Sequence, residues 1–384
     1  MTNSAKPAYG RYGSESRTMT PTRRAALTAL GALALPRAAL ATPRALRLTL
    51  LGQALIQHDL RHEPWPGRAA ITRRLHAADV VFTNLETVIR GELTGDPTRE
   101  ALTLHTADAA VIDDLKALGV GLVATANNHA FDLGTGGVLS TLGALKAANL
   151  AFAGTGADLA QAAAPGVTAD GRVALVAFAT GKVRPGGAAG PDHPGVNEVR
   201  EDRPGVLNEA DLARVFDALA AARTQGATVI AYHHNHLWGD DMEVTPDWQR
   251  ALAHRCVAAG AGVYVSHGAP VLHGIEILQG APAFYGLGNF IFQTRTPPGT
   301  YPARAWDSVI AACRFDEGRL SGLDLTPITL NPESPKGPED LAARGVPSLA
   351  QVADAARILK DIKARSAAFG ATLEIGEHSA RLIL

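Results

Sequence analysis

Polar residues able to bind a metal or move a proton recur in this chain just past short apolar runs. Leu51-Gly52-Gln53 is followed by His58, Asp59 and His62, and further on come Asn84-Leu85-Glu86, Asn127-Asn128-His129 with Asp132, His233-His234-Asn235-His236, and Ser266-His267-Gly268. A core would have to satisfy each of these polar atoms separately, so their repetition points to a shared site rather than to packing. Carboxylate, amide and imidazole donors together suit Zn, Mn or Fe, whereas Mg or Ca asks for more oxygen. Alternation along a strand turns His233 away from His234 and His236. Asp132 either orients His129 or caps the helix that opens before Gly134. His58 and His62 have the spacing of one helical face and read rather as a solvated loop. His273 reads as a satisfied surface histidine on a strand, and Asn289 as a turn former beside the cleft. Trp238 is a candidate cleft wall, while Trp248 fits a helix core.

The elements that must position these groups alternate between two periods. Apolar strand runs at 46–51, Val80–Asn84, 121–126, 173–179, 228–232 and 262–265 are separated by helical patterns, which is the rhythm of an α/β domain. In the helix after Asn208, residues Leu212, Val215, Phe216 and Leu219 share one face, and Asn208 is placed to cap it. Ligand crevices in such sheets lie past the carboxyl ends of the strands, where the polar residues fall. From about residue 270 successive strands at 271–277, 283–287, 309–314 and 321–325 predict antiparallel closure. The Pro- and Gly-rich segment 331–345 reads as a linker before a final helix over 348–367.

Composition narrows the class. Lys and Arg number 36 against 37 Asp and Glu, a net charge of -1, so no long-range field gathers nucleic acid. Aromatics at 5% provide no stacking platform for bases. Cys256 and Cys313 stand in no metal motif and read as buried free thiols rather than a disulfide. Arg23-Arg24 before AALTALGALAL, with Pro36 and Ala39-Leu40-Ala41 after it, outlines a twin-arginine export signal over 1–41. No later stretch reaches the roughly 18 to 20 apolar residues of a membrane span. The expected product is periplasmic or secreted, with Met1 or Met19 as its start. Residues 42–330 form the expected main domain, and 331–384 an extension that packs on it.

The order NLE, NNHAFDLGTGG, a histidine pair after VIAY, and VLHGIEILQGAPAFYGLGNFIF resembles the CapA-type poly-γ-glutamate capsule-synthesis proteins, relatives of the calcineurin-like metallophosphoesterases. The likeness runs from about Leu46 to Phe292. It implies a β-sandwich flanked by helices, in four layers α/β/β/α, holding one or two divalent ions. It further implies that Glu86, Asn128, His234, His236 and His267 are metal ligands and that His129 protonates a leaving group or holds an oxyanion. Two ions about 3.5 to 4 Å apart would activate a shared water. The family commonly has Asp where this chain has Gln53, and a second histidine where it has Pro270. Either His58, Asp59, His62 or His273 compensates, or one ion binds, or the cleft binds without hydrolysis.

Three functions stay open on the sequence. The first is a metal-dependent hydrolase or transferase acting on an exported polymer, with envelope-biosynthesis proteins as partners. The second is a phosphoesterase on a small phosphoester. The third is a non-catalytic polymer-binding component.

Overall fold

The computed structural model describes residues 45–337 and 339–384, so the export signal expected over 1–41 lies outside the described residues. Strands Leu46–Leu50, Val80–Asn84, Leu122–Ala124 and Ala151–Ala153 pair in parallel in a 9-stranded sheet. Strands Val173–Thr180, Thr228–Asn235, Val263–His267 and Ala281–Phe284 do the same in a 6-stranded one. Runs buried on both faces need no alternation, and all eight residues of Val173–Thr180 are buried.

The two sheets face each other. Leu48, Leu50, Phe82 and Leu122 of the first sheet share one apolar cluster with Leu175, Ile230, Tyr232 and Val265 of the second. The Phe82 and Tyr232 rings lie 5.6 Å apart. On the outer side of the first sheet, Val81 and Val123 pack with Ile71 and Leu75 of helix Arg68–Leu75 and Leu115 of helix Ala110–Ala117. On the outer side of the second, Ala174 and Val229 pack with Leu212, Val215 and Leu219 of helix Glu209–Thr224 and Cys256 of helix Asp247–Ala258. The expected α/β architecture of a sheet sandwich between helical layers is therefore the observed one. The Asn208 side chain caps its helix by accepting the Asp211 N–H.

Antiparallel closure comes from the long hairpin Asp307–Asp316 and Arg319–Leu330, whose first strand pairs with Leu46–Leu50. Several boundaries differ from the sequence reading, two of them through contacts made with distant parts of the chain. The strand expected over 271–277 is regular only from Ile275, preceded by an isolated Leu272–Leu287 bridge and a His273 N–H to Gly286 O bond at 2.9 Å. The final helix spans Val352–Ala367 rather than starting at 348, since Pro347–Leu349 is a strand paired with Arg319–Leu330 and its Pro347 carbonyl accepts the Trp65 indole N–H at 2.6 Å. That helix places Ile358, Leu359 and Ile362 against the inter-sheet cluster. Cys256 and Cys313 are buried free thiols. Among the described residues no helix is long and apolar enough to cross a membrane.

Candidate metal centre

The parallel strands of both sheets end on the same side, and the polar residues past them meet there. Tyr232 points into the inter-sheet core, so His234 and the following His236 extend from the same face. His233 points the other way, between Thr180 Oγ1 at 2.8 Å and Tyr264 OH at 2.7 Å, stacked on Phe178. Glu86 arrives from the first sheet, just past Val80–Asn84. Donor atoms of Glu86, His234 and His236 lie within 4.8 Å of one another. Asn128 joins them, its Oδ1 2.9 Å from His234 Nε2. Its neighbour Asn127 is structural: its side chain donates to Asn84 Oδ1 and Leu85 O and accepts the His129 N–H, shaping the turn that presents Asn128.

Several buried atoms in and beside this cluster have no hydrogen-bond partner among the described residues. Glu86 Oε2 and both ring nitrogens of His236 accept and donate nothing, and His267 makes no hydrogen bond of good geometry. Orphaned buried polar atoms of this number are costly unless an outside group satisfies them. Burial pushes the Glu86 carboxyl up to about 8, Asp132 adding to the push and Arg99 opposing it. Burial also holds His234 and His236 well below the ordinary imidazole value, so both are neutral at pH 7, the form a metal requires. The donor set fits one borderline divalent cation held by Glu86, Asn128, His234 and His236. The Tyr232 hydroxyl, 3.1 Å from His234 Nδ1, would keep that imidazole's Nε2 lone pair turned to the cluster.

His129 and Asp132 form a second group beside it. Asp132 receives His129 Nδ1 at 2.8 Å, the His105 backbone N–H at 2.9 Å and the Arg99 guanidinium, and it caps no helix. Arg99 also donates to the Asn128 carbonyl, which ties this group to the ligand cluster. The His105 ring stacks on His129 with centroids 3.7 Å apart.

The remaining sequence candidates sit differently. His267 pairs in register with His234, yet its nitrogens fall outside the 4.8 Å group. Gln53 Oε1 accepts the Gly268 N–H at 3.2 Å, and Asn289 Nδ2 donates to Ala305 O at 2.8 Å. His58 lies on a loop, where its backbone is held by Gln293 Oε1, and Asp59 pairs with Arg61 while His62 is exposed. His273 is not on the surface: it is buried between Thr245 Oγ1 and Met242 O, because the loop after His236 folds over it. Trp238 packs on His236 at 4.6 Å, and Trp248 joins the outer helical core. Sequence reasoning missed Arg99, His105 and Tyr232. Arg99 and His105 lie on an aperiodic segment, while Tyr232 carried a signal, being two residues before His234 on the same strand face.

This is a sheet sandwich with a mixed carboxylate, amide and imidazole cluster at its strand ends. The chain belongs to the bacterial capsule synthesis protein family PGA_cap, whose model matches residues 47–294. It is 30% identical to the protein y4sH of Sinorhizobium fredii over 86% of this chain and 91% of that one. The PGA biosynthesis protein CapA of Bacillus subtilis is 29% identical over 67% of this chain and 63% of its own length. A probable polyglutamine synthesis accessory protein of Mycobacterium tuberculosis is 31% identical over 59% of each.

Proposed function

We propose that this chain is an exported, metal-dependent hydrolase or transferase that acts on a poly-γ-glutamate-like polymer of the cell envelope. The observation that carries the reading is the Glu86, Asn128, His234 and His236 cluster, in which Glu86 Oε2 and both His236 ring nitrogens are buried without a partner among the described residues, beside a His129–Asp132 pair. A divalent ion bound there would polarise an amide carbonyl and lower the pKa of a water. The chain's own residues supply the proton path. With Nδ1–H donated to Asp132, His129 keeps a lone pair on Nε2, and burial keeps the ring neutral. It is thus set to accept a proton from water and pass it to the leaving amine. Arg99 holds both Asp132 and the Asn128 carbonyl, fixing the distance between proton carrier and ligand cluster.

The relatives named for capsule or PGA synthesis support the polymer, and Arg23-Arg24 before an apolar run supports export. The test is metal counting on protein purified without chelator, followed by chromatography of γ-linked glutamate oligomers after incubation. Bis(p-nitrophenyl) phosphate is the comparison substrate. Shortened oligomers support the reading; cleavage of the phosphodiester alone makes the chain a phosphoesterase, and bound metal with neither reaction makes it a polymer-binding component.

A further inference from the structure

Next to the ligand cluster, the end of the first strand closes against the turn that follows His267. Gly52 leaves no room for a side chain, since a Cβ there would stand 2.6 Å from the Asn289 carbonyl carbon. The Gln53 N–H donates to Gly288 O at 3.0 Å, and Gln53 pairs in parallel register with Asn289. These contacts fix the backbone from which the Gln53 side chain reaches Gly268.

A backbone N–H can only donate, so its bond at 3.2 Å settles which way the Gln53 amide lies. Oε1 is committed to Gly268, and Nε2 is the amide atom that remains. Gly268 itself has φ +119°, and a Cβ on it would lie 1.8 Å from the Asn235 carbonyl oxygen. Only glycine fits, so no side-chain ligand arises at 268. Pro270 brings no donor atom on its side chain, and its carbonyl faces the Asn289 amide at 3.5 Å. His267, the one imidazole of this corner, stands off the Glu86 group.

We infer that the chain holds a single metal ion rather than a pair, and that the Gln53 amide takes the place of the second cation as a hydrogen-bond donor to a substrate oxygen. The inference rests on the metal reading above. An N–H2 group carries partial positive charge: it repels a cation and attracts the oxygen a second cation would have bound. The two departures at Gln53 and in the 266–270 turn are joined by one hydrogen bond, so they act as a unit. His267 and Asn289 Oδ1, both without a good partner, are then left for substrate groups.

The test is Mn2+ titration of the whole, metal-stripped chain, with bound metal counted by plasma emission and the ion's surroundings read by electron paramagnetic resonance. Wild type is expected to bind one equivalent with the spectrum of an isolated ion. Gln53→Asp should bind a second equivalent and give the broadened signal of a coupled pair, and adding His267→Ala should return it to one. Gln53→Glu serves the same purpose should far-UV circular dichroism show Gln53→Asp to be unfolded. Two equivalents in wild type, or one in both folded Gln53 variants, overturns the inference. No bound metal in wild type overturns the metal reading itself, which keeps the two failures distinct.

Discussion

His129 Nδ1 lies 2.8 Å from Asp132 Oδ2, and that same oxygen accepts the His105 backbone N–H at 2.9 Å. Asp132 is fully buried, and burial lifts its carboxyl to about 6, with Arg99 pulling the other way. The carboxylate is therefore held by three donors, two of them from the segment 99–105, and the imidazole it orients has one nitrogen left for chemistry.

Asp132→Asn tests that arrangement. An amide of the same size that turns its NH2 to Nδ1 favours the tautomer with a proton on Nε2, and it also sets that NH2 against the His105 N–H. Turnover should fall by about 10²- to 10⁴-fold, while metal content stays unchanged. Metal counting beside kcat checks both halves. Loss of metal together with activity would make Asp132 part of the ligand shell.

Much of this site was legible because parallel strands buried on both faces give unbroken apolar runs, and the residues just past them are the ones that meet. Val80–Asn84 was read to the residue for this reason, and the Asn208 cap from its place just before the helical pattern. The start of the last helix was not, since Ser348 is held in a strand by pairing with Thr329, a contact absent from local periodicity. Arg99 and His105 escaped for the same cause. Their segment owes its shape to Asp132 and Asn128, distant in the chain. The resemblance implies that His267 is a ligand; the structure sets it in register beside His234, with its nitrogens outside the 4.8 Å group of Glu86, His234 and His236.

Tyr232→Phe probes the support behind a ligand. The ring stays packed near Phe82, but the hydroxyl 3.1 Å from His234 Nδ1 is lost. Removing such an outer partner weakens metal binding by roughly 10- to 100-fold. Competition with a chromogenic chelator should report that drop, with a stability change of only about 1 kcal/mol in thermal unfolding. An unchanged affinity would mean that His234 does not ligate through Nε2.

Arg365→Ala probes the loop that carries Trp238. The Arg365 guanidinium donates to the Glu243 carbonyl at 2.6 Å and to its carboxylate, and Arg304 bridges Glu243 to Asp361 of the final helix. These partly buried contacts tie the segment after His236 to helix Val352–Ala367. Their loss should cost about 1 to 3 kcal/mol in urea unfolding and expose 238–245 to limited proteolysis. Faster cleavage confined to that loop would place the damage there rather than in the core.

His273 makes stability depend on pH. Buried between Thr245 and Met242, its ring is held below the ordinary value of 6.5 by burial first, with the Met242 carbonyl opposing and Arg365 adding to the depression. The unfolded chain therefore binds the extra proton at a higher pH than the folded one. Its contribution is complete above about pH 6.5 and is lost as pH falls from there toward the folded value. His273→Gln keeps a polar group at the position and cannot titrate. Urea midpoints of metal-free wild type should decline more steeply between pH 7 and 5 than those of the variant. Parallel curves would show that His273 takes up its proton equally in the folded and unfolded chain over that range.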